Sequence, residues 1–352
     1  MAGQLSSKCE GSCPGVFVGS LCLLAAGGTI AARTTSEGRA VAADAAELLD
    51  AVRAFGDVSV EDVDARDVAR TASFAATTAD VLRLAEQVRV AAQKYEGVVI
   101  THGTDTLEET AALLAVAHRG PVPVVLTGAQ RPFDDPATDG PRNLATALRW
   151  AASADAVDSG VTVVFNGRVL PGIGVRKVHT LAVDAFHAPG RGPIGYVGQD
   201  GVRRHATSRR PSPLLPPGVA ELPRVDVVPL YLGADATAVE AAVAAGTQGI
   251  VLAAFGAGNT TPAITQACAR VLGVGIPVAV TSRVGEGAVA GLYTGGGWDL
   301  AEAGAFFFGD LSPWQARIVL AAALAVEGTA EGVERRCRVW LQEVGAIPGQ
   351  VE

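Results

Sequence analysis

Lysine is scarce in this sequence. Of 28 basic residues only three are Lys, at positions 8, 94 and 177, and every other one is Arg. Arg keeps its proton inside a protein, whereas a desolvated Lys can give it up. A Lys kept against that bias points to chemistry. Lys8 and Lys94 read as surface residues, which leaves Lys177. Cysteine is also sparse, with five residues at 9, 13, 22, 268 and 337. The odd number and irregular spacing exclude a disulfide framework and a regularly spaced zinc site, and fit a reducing, cytoplasmic setting. Basic charge is in deficit: the net charge is −8, which argues against nucleic acid as the main partner. Long apolar runs are missing too. The stretch Val16–Ala26 is too short to cross a bilayer, so no membrane partner is expected. Glu10, Gly11 and Pro14 break up the segment before it, and Lys8 is the only early basic residue, so it does not read as a signal peptide. Residues 1–15 read as a disordered tail.

What is present is an alternation of strand and helix. Buried strands are predicted at Val16–Ala25, Val58–Val63, Val98–Ile100, Val122–Leu126, Val161–Phe165, Val225–Leu230, Gly249–Ala254 and Pro277–Thr281. Helices are predicted at Ala45–Phe55, from a Thr78 cap to Lys94, from an Asp139 cap to Ala152, and at Ala236–Ala245, Pro262–Leu272, Pro313–Glu327 and Gly332–Val344. Ala31–Ala43 is small, polar and charged, and reads as a flexible loop. Alternation of this kind indicates an α/β protein with a mainly parallel sheet covered by helices on both faces. The stretch His205–Pro223 holds five Pro and little periodicity, which marks a linker. The predicted organisation is a larger N-terminal domain (16–205), a linker (206–223) and a smaller C-terminal α/β domain (224–352).

The densest chemistry lies in Val98–Leu114, VVITHGTDTLEETAALL. An apolar strand breaks into Thr101-His102-Gly103-Thr104-Asp105-Thr106, and a helix follows. Thr106 with Glu109 forms a capping-box pattern that starts the helix near Leu107. Thr104 and Asp105 then sit at the carboxyl end of a strand, where open α/β sheets bind ligands. Other strand ends carry Thr29, Ser73 with Phe74, and Ala129 with Gln130, and in a parallel sheet these ends share one edge. Two threonines there suggest nucleophilic acyl chemistry. A Thr hydroxyl needs a base to take its proton; Lys177, held by Asp105 and desolvated, suits Thr104.

Leu24-Ala25-Ala26-Gly27-Gly28-Thr29-Ile30-Ala31 resembles the first signature of the bacterial-type L-asparaginases, the asparaginase/glutaminase family. Ile100 to Thr110 resembles the second. Gly128 to Pro132, Asp139 to Leu144 and Gly256-Ala257-Gly258-Asn259 are similar to further family segments, and the resemblance runs in order from about residue 18 to 345. It implies hydrolysis of L-asparagine to L-aspartate and ammonia without metal or cofactor. Thr29 would be the acylated nucleophile. Thr104, Asp105 and Lys177 would assist deacylation or activate attack directly. Ser73 would bind the substrate α-carboxylate and Asp105 the α-ammonium. Main chain at Gly103, Thr104 and Ala129 would meet the amide and its oxyanion, with Asn259 close to the substrate. The resemblance also implies a dimer of tight dimers with sites at the intimate interface.

The sequence departs from that pattern in two places. No Tyr lies between Thr29 and Tyr95, although the family usually carries one in the loop after the first signature. Arg39 or a neighbour stands there, and Tyr293 is a substitute from elsewhere in the dimer. Phe74 replaces a Gln that often binds the α-ammonium. Glu286 and Glu302 are the options for an acid supplied by the neighbouring subunit. Plainer readings apply elsewhere: Thr106 as a cap, His102 as a packed structural residue, His179 and His187 as loop residues, Trp298 and Trp314 as packing. Competing functions are a glutaminase-asparaginase or related amidase, and a non-catalytic amino-acid-binding protein on the same scaffold. A dinucleotide-binding protein is disfavoured because Gly27-Gly28 lacks the G-x-G-x-x-G spacing.

Overall fold

The computed structural model of the chain describes residues 20–55 and 61–347. The expectations for the tail, for Lys8, Cys9 and Cys13, and for the starts of the strands at Val16 and Val58 lie outside the described residues. Strand β1 (Leu21–Gly27) is an almost wholly buried run, LCLLAAG. A single 3-10 turn, Thr29–Ala31, leads into β2 (Ala32–Thr35) and β3 (Gly38–Val41). These two strands pair antiparallel, so the expected flexible loop is a hairpin. Most of its residues face water, so no apolar period betrays it. It is held from outside instead: the Thr34 N–H donates to Asp134 Oδ2 at 2.8 Å, and Arg33 pairs with Glu47 at 2.6 Å.

Helix α1 (Ala45–Phe55) matches its predicted bounds. Strand β4 is Val63–Thr71, so it begins where the strand predicted at Val58–Val63 ends and continues past it. It is the outer strand of the sheet, and its Asp64, Arg66, Asp67 and Arg70 are the charges expected on an edge; they hide it from a search for apolar runs. Helix α2 (Thr78–Ala91) is capped by Thr77, not Thr78. Only Thr77 stands three residues before an acid, and the Asp80 carboxylate accepts the Thr77 N–H at 2.8 Å. Next come β5 (Gly97–Thr101), α3 (Leu107–Ala117), β6 (Val124–Thr127), α4 (Gly140–Ala151) and β7 (Val161–Phe165). The chain then reverses through Asn166 (φ 48°) and Gly167 (φ 74°), the left-handed pair of a two-residue hairpin. This lays β8 (Arg168–Pro171) antiparallel on β7. After the small β9 (Arg176–Lys177) and β10 (Phe186–His187), strands β11 (Gly195–Gly198) and β12 (Gly201–Arg204) complete the sheet.

The eight strands run in the order β12-β11-β8-β7-β6-β5-β1-β4. From β7 to β4 all neighbours are parallel. Helices α1 and α4 cover one face, with Leu48, Val52, Leu144 and Trp150 buried, and α2 and α3 cover the other. A second sheet is parallel throughout: β13 (Val225–Pro229), α5 (Thr237–Ala244), β14 (Gly249–Ala254), α6 (Pro262–Gly273), β15 (Val278–Ser282), α7 (Gly297–Glu302) and β16 (Phe306–Phe307). The protein is therefore α/β with one large and one smaller sheet. Helices α8 (Pro313–Leu324) and α9 (Ala330–Glu343) follow. Helix α8 is apolar nearly all round, as a buried helix must be. One side packs on the second sheet and the other on α3, so a single apolar cluster runs from Ile100 through Leu320 to Trp340. The Pro-rich stretch before β13 has neither helix nor strand, but Leu214 and Leu215 both donate to the Val116 carbonyl at the end of α3.

The junction of α3 and α8 holds a carboxyl that resists ionisation. Burial, and then the adjacent Glu108, push Glu109 up to about 7. In the unfolded chain Glu109 titrates near the ordinary 4.5. Its contribution to stability is therefore full below that value and is lost as pH rises towards about 7. Glu109→Gln is expected to leave Tm unchanged near pH 4.5 and to raise it by several degrees at pH 8. Scanning calorimetry across that range checks this, and a constant offset at all pH values would refute it.

Candidate active site

The chain leaves β1 for β4 on one side and returns to β5 on the other. Strand order reverses between β1 and β5, and the crevice outside their carboxyl ends is where such sheets bind ligands. Two turns line it. The β1 turn carries Gly27-Gly28-Thr29, and the β5 turn carries His102-Gly103-Thr104-Asp105. They touch: a Cβ on Gly28 would lie 2.3 Å from both the Cα and the N of Gly103. The next turn, after β6, carries Gly128 and Ala129, and a Cβ on Gly128 would meet Thr104 Cγ2 at 3.5 Å.

Lys177 reaches this edge from β9, outside the main sheet. Its Nζ donates to Thr104 Oγ1 at 2.8 Å and to Asp105 Oδ1 at 2.7 Å. Thr104 is buried, the Lys177 side chain is 17% exposed, and the Asp105 side chain, at 53%, faces solvent. Ser73 closes one flank. Its Oγ accepts the Asp105 N–H at 3.2 Å, and its carbonyl accepts the Thr106 hydroxyl at 3.0 Å. Phe74 beside it is 77% exposed. The backbone N–H groups of Gly103, Thr104 and Ala129 find no acceptor among the described residues, which leaves them free for an anion or a developing oxyanion.

Two expected caps do other work. Helix α3 starts at Leu107 as predicted, but Thr106 makes no capping bond. Its φ and ψ of −119° and 19° are not those of a β-region cap, and its hydroxyl goes to Ser73. Asp139 precedes α4, yet its carboxylate turns back to the N–H groups of Gln130 and Arg131 at 2.9–3.1 Å. Asn143 joins it, donating to the Gly128 carbonyl at 2.9 Å. These two residues thus hold the Ala129 turn. His102 is buried, with both ring nitrogens in hydrogen-bond contact. Burial depresses its basicity, and the neutral ring spans the Gly103 carbonyl at 2.7 Å and the Thr110 hydroxyl at 3.2 Å.

Not every expected site residue joins this cluster. Thr29 opens the 3-10 turn at the crevice, but its hydroxyl has no hydrogen-bond partner among the described residues. Asn259 sits past β14, where its Oδ1 accepts the Gly297 N–H at 3.4 Å. Arg39 and Tyr293 are exposed, as are Glu286 and Glu302. His179 caps its own loop, accepting from Leu181 and Ala182, and His187 contacts Arg168 and Asp184. The residue that sequence reading misses is Glu108. It is buried in the first turn of α3, with Oε2 accepting the Lys177 N–H at 2.9 Å and Oε1 accepting the Ser312 hydroxyl at 3.2 Å. Burial pushes its carboxyl up, against the opposing pull of those two donors. Sequence offers one faint signal, the S-x-x-Q pattern of Ser312 and Gln315 at the start of α8.

Two family models match the chain, the N-terminal asparaginase model over residues 20–210 and the glutaminase/asparaginase C-terminal domain over 224–336. The chain belongs to the asparaginase family. An L-asparaginase of Bacillus licheniformis is 35% identical over 311 residues, covering 86% of this chain and 94% of that protein. L-asparaginase 2 of Escherichia coli is 34% identical over 313 residues, covering 87% and 88%. Among solved structures, a probable cytoplasmic L-asparaginase from Campylobacter jejuni matches with a TM-score of 0.81 at 32% identity, over 91% of this chain and 99% of that one. Asparaginase family membership thus spans both sheets. No helix among the described residues is long and apolar enough to cross a membrane.

Proposed function

We propose that the protein hydrolyses L-asparagine to L-aspartate and ammonia, with the crevice between β1 and β5 as its active site. The observation that carries the proposal is the Thr104–Lys177–Asp105 contact at the strand-order reversal of an asparaginase-family chain. Thr29 Oγ attacks the side-chain carbonyl carbon, its proton passes to the departing amine, and ammonia leaves an acyl-enzyme. Water then attacks the ester, gives up its proton, and releases aspartate and the Thr29 hydroxyl. Thr104 and Lys177 carry the proton in these steps, because Lys177 Nζ lies 2.8 Å from Thr104 Oγ1, whereas no such group meets Thr29 Oγ among the described residues.

Substrate binding follows from the same groups. With Ser73 Oγ already accepting the Asp105 N–H, the serine's own proton is free for the substrate α-carboxylate. Asp105, open to solvent beside it, receives the α-ammonium, and the free N–H groups of Gly103, Thr104 and Ala129 receive the oxyanion. Phe74 stands in the place of a polar α-ammonium ligand, which leaves Asp105 as the main partner of that group. The protein assembles as a dimer of tight dimers, and Asn259, which lies past the second sheet's β14, stands close to the substrate in that assembly. Exposed Leu181, Leu232, Leu292, Tyr293 and the half-exposed Trp298 and Trp314 supply apolar surface for that assembly. A cytoplasmic location is supported by the unpaired buried thiols of Cys22, Cys268 and Cys337.

One observation favours a different reading. Thr29 has neither a hydrogen-bonded partner among the described residues nor a nearby Tyr in the hairpin, as a silent amino-acid-binding protein would. A steady-state ammonia assay over L-asparagine, L-glutamine and D-asparagine separates the readings. Turnover of L-asparagine is expected, with less or none on glutamine, and binding without ammonia release would refute catalysis. Thr29→Ala and Thr104→Ala are each expected to fold normally and to lose nearly all turnover. A Thr104→Ala enzyme with ordinary activity would sink the mechanism.

A further inference from the structure

Lys177 has little of its own to fix it. It lies in a two-residue strand whose one pairing among the described residues is with Phe186–His187, and four flexible methylenes separate its backbone from its ammonium. Nevertheless its Nζ meets two acceptors within 2.8 Å. What locates its main chain is a buried clamp between the two sheets. The Glu108 carboxylate accepts the Lys177 N–H at 2.9 Å with one oxygen and the Ser312 hydroxyl at 3.2 Å with the other. Ser312 Oγ in turn accepts the Gln315 N–H at 3.1 Å. The Gln315 amide, fully buried, donates to the Glu108 carbonyl at 3.1 Å and the Gly172 carbonyl at 2.9 Å. Its oxygen accepts the Gly174 N–H at 2.8 Å. The first turn of α8 therefore ties the segment that carries Lys177 to the helix that follows Thr104 and Asp105.

We infer that Glu108 is a positioning residue, whose reach from α3 to the Lys177 main chain, braced by Ser312 and Gln315, sets the Lys177–Thr104 distance. This rests on the reading that Lys177 acts on Thr104. A misplacement of about 1 Å at a reacting group costs on the order of 10²-fold in rate, so a clamp at this point controls turnover without touching substrate.

Reach and charge are separable here. Glu108→Gln keeps the length and an acceptor oxygen but removes the charge. Glu108→Asp keeps the charge and is one methylene short. The Asp variant is expected to lose on the order of 10²-fold in kcat, with KM for L-asparagine within about threefold of wild type. The Gln variant is expected to retain kcat within about threefold. In a Lys177→Met background Glu108→Asp is expected to have no further effect, because residues acting through one group are not additive. Ser312→Ala, which removes only one brace, is expected to lower kcat several-fold at unchanged KM and keeps the test open if the Asp variant does not fold. An active Asp variant beside an inactive Gln variant would overturn the inference in favour of charge. Multiplicative losses in the Lys177→Met background would overturn it in favour of a role independent of Lys177. Full turnover in Lys177→Met alone would instead bring down the reading beneath it.

Discussion

Lys177→Met is expected to lower kcat for ammonia release from L-asparagine by about 10²–10⁴-fold, the range that a positioned proton-transfer group supplies. Met preserves most of the stem's volume and removes the ammonium, so the packing around 17%-exposed Lys177 is retained while both short contacts disappear. Thr104 Oγ1 loses the 2.8 Å contact that polarises it, and Asp105 loses its 2.7 Å cation. KM distinguishes the two losses. If the ammonium mainly serves proton transfer, kcat falls and KM changes little. If it mainly holds Asp105 in place for the substrate ammonium, KM rises. Lys177→Arg is the sharper companion: it keeps the positive charge for Asp105 but cannot cycle a proton. An inactive Arg variant with a near-normal KM is the expected result. An Arg variant with wild-type kcat would show that charge alone suffices and would remove Lys177 from the proton path.

How far the molecule was legible in its sequence depends on what each residue packs against. Strands β7 and β14 and helix α1 were readable to the residue, because they are buried by their own sheet and their apolar runs say so. The hairpin β2–β3 and the edge strand β4 were not, since their residues are largely solvated and held by distant partners such as Asp134. The same distinction runs through the site. Lys177 stood out through the rarity of Lys and the family resemblance, whereas its distance to Thr104 is a tertiary fact. Thr106 does stand at the N-cap of α3, but its side chain makes no capping bond because the Ser73 carbonyl, distant in sequence, competes for its hydroxyl. Asp139 was drawn from its helix end by the Gln130–Arg131 turn in the same way. Glu108 and Gln315 gave almost no signal. Their roles depend on two sheets meeting across α3 and α8, with contacts spanning more than 200 residues. Local rules thus placed the elements. The exchanges between side chains and distant backbone groups, which build the site, lay beyond them.

Gly28→Ala should cost both stability and turnover. Gly28 has φ 85° and ψ −175°, a region open essentially to glycine and costing other residues about 1–3 kcal/mol. The added Cβ would also lie 2.3 Å from Gly103 Cα and N and 2.7 Å from the His102 carbonyl carbon. All three are backbone atoms, so no side chain can swing aside. Overpacking of this kind costs about another 1–3 kcal/mol. The strain can be relieved only by moving the β1 turn away from the β5 turn, which separates Thr29 from Thr104. A fall in Tm and a loss of turnover on the order of 10²-fold or more are therefore expected together. Gly246→Ala separates the two causes. It has φ 79° with nothing within 4 Å of the added Cβ, so it carries the backbone strain without the clash. Its Tm should fall while its kcat stays that of wild type. If Gly28→Ala also kept wild-type kcat at a temperature where it is folded, the close contact of the two turns would not be what holds Thr29 to Thr104, and the crevice would have to be assembled some other way.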